Sequence, residues 1–224
     1  MKVILFDSGT LITLSMNDLL DMLRELKKIF NGKFIITKEV EQEIIKRPLT
    51  IKKFKLGALR LKTLIDDKTL EFPEDIGIKQ NDISRMTSEI MNSANQVFIA
   101  KGRPLHIIDL GESSILALSK LMRDKGIENL IAMDERTTRM LCEKPENLRN
   151  LLEGKLHTKI QQVKSSNNDF SNTEFIRSTE LIYVAFKKGI FKNQSREMLD
   201  ALLYGAKFKG AAISSDEIKV MERM

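Results

Sequence analysis

The sequence predicts an α/β fold: three layers, α/β/α, with a central and mostly parallel sheet flanked by helices. Short apolar runs of strand length alternate with segments of helical periodicity, the pattern of a layered fold built on a parallel sheet. Two of those runs lead straight into an aspartate, Asp7 and Asp134, and in such sheets ligands bind outside the carboxyl ends of the strands. With 224 residues and 42% hydrophobic content the chain can bury a full core, so it reads as one domain over 1–224.

In chain order, Lys2–Phe6 reads as a buried strand running into Asp7-Ser8-Gly9. Asp7 stops the apolar run well short of the roughly 7–15 residues of a leader's hydrophobic region. Asn17 is placed to cap a helix through Phe30, whose apolar positions Leu19, Leu20, Leu23, Leu26 and Ile29 follow helical spacing before Asn31-Gly32 stops it. The segment Phe34–Ile36 reads as a strand. Thr37 then caps a helix carrying Val40, Glu43, Ile44 and Ile45, ended by Pro48. A basic helix near 50–64 follows, then a short strand over Thr69–Phe72, a loop over Pro73–Gly77 and a helix from Asp82 to Ala100.

Past the Gly102-Arg103-Pro104 break, Asp109-Leu110-Gly111-Glu112 opens a helix with a continuous apolar face through Ser113–Lys125, terminated by Gly126. Leu130–Met133 reads as a strand with Asp134 at its carboxyl end, and a helix follows from Arg136 to Cys142. Residues 143–176 are polar, with Ser165-Ser166-Asn167-Asn168-Asp169 at their centre. They read as an insertion within the domain. Helical signals return from Ser178, over Ser195–Lys207 and over Ser215–Met224.

A net charge of +6 and an isoelectric point near 9.3 suit a polyanionic partner. From Lys46 to Lys62 there are seven basic residues and no acidic one. That stretch is either a solvated helix face with snorkelling lysines or a phosphate-contacting surface in which Lys52, Lys53 and Lys55 take part. The single cysteine, Cys142, excludes an internal disulfide and a cysteine-based zinc site, and a reducing cytoplasm is the expected location. No apolar run approaches the roughly 20 residues of a bilayer span, so no membrane partner is expected. There is no GxxxxGK[ST] or GxGxxG loop. Against the Asp-x-Asp-Gly-Thr motif of haloacid-dehalogenase-like phosphatases, Phe6 falls where the nucleophile belongs, and phenylalanine cannot form an aspartyl-phosphate.

Four acids remain as candidates for chemistry. Asp7 and Asp134 sit at strand ends, and each also fits a helix N-cap. Asp109 and Glu112 fit a capping box, in the place where caps and metal ligands coincide. Glu43 lies close to the buried face of its helix, where a carboxylate is costly unless paired or metal-bound; a change in helix phase would turn Glu39 or Glu41 inward instead. Acids without histidine or cysteine suit Mg²⁺ or Mn²⁺, ions that activate water and offset charge on a phosphodiester.

These residues, in order and in context, resemble the PIN-domain family. The matching stretches are Val3-Ile4-Leu5-Phe6-Asp7-Ser8-Gly9-Thr10-Leu11 and Ile36-Thr37 with Val40 and Glu43-Ile44. Asp109 through Leu118 and Ile131-Ala132-Met133-Asp134-Glu135-Arg136 complete the set. The resemblance implies a PIN-like fold and a metal-dependent ribonuclease in which Asp7, Glu43, Glu112 and Asp134 hold Mg²⁺ or Mn²⁺. Ser8, Thr10, Asp109 and Glu135 would stand behind them. It implies RNA as substrate, a homodimer as the default assembly and, if the chain is a toxin ribonuclease, a small antitoxin-like partner protein. A catalytically inactive PIN-like module that binds RNA or protein is the alternative.

Overall fold

The computed structural model describes residues 1–163 and 172–224; the Ser165–Asp169 stretch lies outside them. The architecture is mixed α/β, with a four-stranded, all-parallel central sheet flanked by helices in a three-layer α/β/α arrangement.

Strand β1 (Lys2–Phe6) is in the middle of the sheet and apolar over Val3–Phe6, as a strand covered on both faces must be. Helix α1 (Ser8–Met16) starts immediately after it, capped by Asp7. The helix expected from Asn17 to Phe30 is α2 (Leu20–Ile29), which begins later, and α1 is a further helix ahead of it: Asn17 is the C-cap of α1 and Asp18 takes a positive φ. The run Leu11–Met16 hides the start of α1, because its two outward apolar side chains, Ile12 and Met16, blur the periodicity that a helix is read from.

Strand β2 (Gly32–Ile35) pairs with β1 in parallel. Thr37 caps α3 (Lys38–Glu41), accepting from the Val40 N–H at 3.2 Å. The helix then widens into a π turn over Gln42–Lys46, closed by a bond from the Arg47 N–H to the Gln42 carbonyl, before α4 (Arg47–Leu49) ends it. Pro48 is carried inside rather than at the stop. A proline ring crowds the carbonyl four residues back, and the widened turn ahead of it relieves that contact.

Helix α5 (Lys55–Asp66) is the expected basic helix. The expected strand Thr69–Phe72 contracts to one parallel bridge, Ile35 with Glu71, and Pro73–Ile76 forms a 3₁₀ turn. Helix α6 (Gln80–Ala94) stops short of Ala100, because Phe98–Ala100 forms strand β3, turned back by β4 (Arg103–Pro104).

Helix α7 (Leu110–Asp124) packs extensively on α6 and against the sheet. Strand β5 (Glu128–Ala132) pairs with β1 on the side away from β2, so Asp7 and Asp134 follow neighbouring strands. Helix α8 (Arg136–Glu143) comes next. The polar stretch 143–176 is not structureless. It holds α9 (Pro145–Leu156), β6 (Ile160–Gln162), which pairs antiparallel with β3, and β7 (Phe175–Ile176), the fourth strand of the main sheet. Helices α10 (Ser178–Lys187), α11 (Arg196–Phe208) and α12 (Ser215–Met221) close the described chain. No helix among the described residues is long and apolar enough to cross a membrane.

The core is continuous from Phe6 and Phe34, whose rings meet edge to face at 5.1 Å, through Leu118 and Ile131 to Ile182 and Leu203.

Candidate metal and nucleic-acid site

The carboxyl edge of the sheet is where β1 hands over to α1, and the turn is made by Asp7. Its Oδ2 accepts from the Gly9 N–H at 3.1 Å, so the cap reading is right as far as it goes. A cap needs only one oxygen. Asp7 is 3% exposed, and its Oδ1 is buried without a hydrogen-bond partner. Burial, and then the charge of Glu112, push the Asp7 carboxyl up to about 7, with Glu43 adding to the effect. Such a group calls for a proton or a cation, since an unpaired buried charge costs several kcal/mol.

Glu112 is the third residue of α7, and its Oε2 accepts from the Asp109 N–H at 2.7 Å. It too rises to about 7, first through burial and then through the charges of Glu135, Asp109 and Glu43. Cap and electrostatic neighbour are thus the same side chain.

Glu43 settles the helix-phase question. Glu41 turns to Lys46, with 2.7 Å between the charged atoms, and Glu39 accepts from the Gln80 amide at 3.2 Å. Glu43 instead lies on the first turn of α7: a Cβ placed on Gly111 would stand 2.5 Å from its Oε1. Glycine at position 111 is what lets the carboxylate come this close. The approach is held from the other side by Thr37, whose hydroxyl meets that of Ser114 at 2.7 Å while Ser114 donates to the Gly111 carbonyl. The cap of α3 is therefore fastened to the opening turn of α7, with Glu43 between them on the π turn, a bulge type concentrated at functional sites.

Asp134 is placed differently. It is buried, at 3% exposure, but its Oδ1 accepts from the Ser178 N–H at 2.8 Å, and so it caps α10 from 44 residues away. Its Oδ2 is buried without a partner. The next residue, Glu135, caps α8 by accepting from the Thr138 N–H at 2.5 Å, and its charge acts on Glu112.

The other candidates spread out. Thr10 is fully buried beneath the site with an unpartnered hydroxyl. Ser8 is partly buried, and its backbone hydrogen bond lowers the Asp7 carboxyl. Asp109 turns to solvent, its Oδ1 2.7 Å from His106 Nε2. Lys52, Lys53 and Lys55 all lie exposed on the turn leading into α5.

Asp7, Glu43 and Glu112 are thus brought together, with Glu135 beside them and Asp134 on the adjoining strand end. Among the described residues no three acid, imidazole or thiol side chains stand close enough to grip one ion as placed. The donors fit a hard divalent cation: all are oxygens, and Asp7 Oδ1 and Asp134 Oδ2 are among the four buried carboxylate oxygens of the described residues that lack partners, the others being Glu39 Oε2 and Glu222 Oε1.

The contacts through Gly111 and Ser178 escape a reading of the sequence. A glycine inside the first turn of a helix was the one available hint of the first; nothing local announces the second. No family model, curated protein or solved structure matches this chain.

Proposed function

We propose that the protein is a metal-dependent nuclease that hydrolyses phosphodiester bonds, RNA being the substrate favoured by the PIN-like motifs. The observation that carries the proposal is the buried Asp7 carboxylate with one unpartnered oxygen, set beside Glu112 and Glu43 at the carboxyl edge of a parallel sheet. Asp7, Glu43 and Glu112 would hold Mg²⁺ or Mn²⁺, with Asp134 contributing its free Oδ2 while its Oδ1 stays on Ser178. A bound divalent cation supplies a more acidic water and offsets charge on the phosphate. The chain's own part is to exclude water around Asp7, to fix Glu112 through its bond from the Asp109 N–H, and to hold Glu43 against Gly111. The cationic turn before α5 lies on the same side as Glu43 and would carry the substrate backbone. A second copy of the chain and a small antitoxin-like protein belong to the same proposal as partners.

A second reading is a binding module in which the acids are structural. Its support is that Glu112, Asp134 and Glu135 all make capping bonds. Structured and unstructured RNA incubated with Mn²⁺, with chelator and with Asp7→Asn protein separates the two. The nuclease reading requires cleavage that needs metal and vanishes in the variant. Cleavage that persists in chelator, or that is equal in the variant, sinks it.

A further inference from the structure

A groove of about 610 Å³ opens between α1, the π turn and α5. Ile12 and Met16 form one wall, and Ile44 and Pro48 another. Phe54, 50% exposed, lines the groove with its ring half-buried. Glu43 lines the same groove, and its carboxylate also lies on Gly111, so the groove runs up to the acid cluster.

The rim is cationic, and part of its charge is free of ion pairing. Of the seven basic residues between Lys46 and Lys62, Lys46, Arg60 and Lys62 are paired with Glu41, Asp18 and Asp66. Arg47, Lys52, Lys53 and Lys55 have no ion pair among the described residues. Arg47 and Lys53 line the groove, with the Lys53 ammonium 5.2 Å from the centre of the Phe54 ring. An apolar slot with an exposed aromatic face and a cationic rim complements a flat heteroaromatic ring carried on a phosphate chain. A purely apolar partner helix would leave Arg47 and Lys53 uncompensated.

We propose that this groove binds one unstacked nucleobase of single-stranded RNA, stacked on Phe54, with the adjoining phosphates on Arg47 and Lys53. That the strand then passes Glu43 toward the acid cluster rests on the nuclease reading; the base site itself does not. The groove would make binding sensitive to the presence of a base at one position along the strand.

The test is equilibrium binding in chelator, by fluorescence anisotropy. The probes are a short labelled single-stranded RNA and the same strand made abasic at each position in turn. Wild-type protein should lose about tenfold in affinity when one particular base is removed, and little when others are. Phe54→Ala should erase that difference and Phe54→Trp should keep it. Gly57→Leu should also erase it, since a side chain on Gly57 enters open space in the groove without displacing anything. Phe208→Ala, at a more exposed phenylalanine elsewhere, serves as the control that keeps it. No sensitive position overturns the proposal, as does equal weakening of intact and abasic strands by Phe54→Ala. So does a groove variant that splits a dimer while RNA binding is untouched, for then the face is a protein interface. Cleavage assays with Mn²⁺ run in parallel keep the readings apart. Base sensitivity without cleavage removes the nuclease and leaves the groove, and cleavage without base sensitivity does the reverse.

Discussion

The sharpest test of the acid cluster is Asp7→Asn, read as stability against pH in chelator. Burial and the neighbouring carboxylates raise the Asp7 carboxyl from 3.8 to about 7, so between those values the folded chain holds a proton that the unfolded chain releases. Stability contributed by this group is therefore complete below about pH 4 and is lost as pH rises through about 7. Roughly three pH units at ~1.36 kcal/mol each give about 4 kcal/mol, an upper figure because a buried amide must also be accommodated. The amide keeps an oxygen for the Gly9 N–H and turns a donor toward Glu112, so most of the gain should survive. The variant should match the wild type near pH 4 and exceed it by about 2–4 kcal/mol at pH 8, roughly 5–15 °C in melting temperature for a chain of this size. Thermal melts followed by circular dichroism from pH 4 to 9 give the gap directly. Millimolar Mn²⁺ at pH 8 should then raise the wild-type melting temperature and leave the variant where it was. A gap that does not change with pH, or a variant less stable than wild type at pH 8, refutes the electrostatic account; a wild type indifferent to Mn²⁺ refutes the metal site.

Other consequences follow from single contacts. In Gly111→Ala the new Cβ drives away only the flexible end of Glu43, so stability should change by less than about 1 kcal/mol while Mn²⁺-dependent cleavage falls at least about tenfold; unchanged cleavage detaches Glu43 from the chemistry. Charge reversal of Lys52, Lys53 and Lys55 should weaken RNA binding and flatten the slope of log affinity against log salt by about 2, at ~0.7 per lost phosphate contact on a single strand. An unchanged slope would return that turn to a solvated face. Burial pushes the Cys142 thiol up to about 12, so its alkylation at pH 8 should run about a thousandfold slower in the native protein than in denaturant, and comparable rates would show that the thiol is open.

The parts of this fold that were legible in the sequence are those dictated by near neighbours. The strand Lys2–Phe6 announces itself through its apolar run, and the Thr37 cap and the Asp109/Glu112 opening announce themselves through side-chain chemistry within three residues. What was not legible depends on distant partners or on a local shift of one residue. Strand β7 is two residues long and exists because Ile131 and Ala132 are there to pair with it. The segment Gln96–Ala100 reads as the tail of a helix, yet Val97, Phe98 and Ile99 are strand formers, and Phe98–Ala100 goes to β3 because β6 arrives from more than 50 residues downstream. Asp134 reads as an acid at a strand end, which it is; that half of it is spent on the Ser178 N–H depends on a helix whose position no nearby residue records. For the site, the sequence named four acids, Asp7, Glu43, Glu112 and Asp134, and the first three act on one another electrostatically. It could not rank Glu43 above Glu39 and Glu41, because that choice is made by the π turn and by the absence of a side chain at Gly111.

At the level of the gene, the π turn amounts to one codon. A residue removed between Gln42 and Arg47 turns the bond from the Arg47 N–H to the Gln42 carbonyl into an ordinary i→i−4 helix bond, so the helix on either side of the joint keeps its phase and only the widened turn disappears. The Thr37–Ser114 fastening lies on one side of that joint and the groove wall formed by Arg47 and Pro48 on the other. Both keep their places when the turn is closed, and what a deletion removes is the widened turn that carries Glu43 and makes room ahead of Pro48. Deleting the exposed Lys46 therefore re-aims the residues of that turn, Glu43 among them, without altering a residue of the acid cluster or of the groove lining.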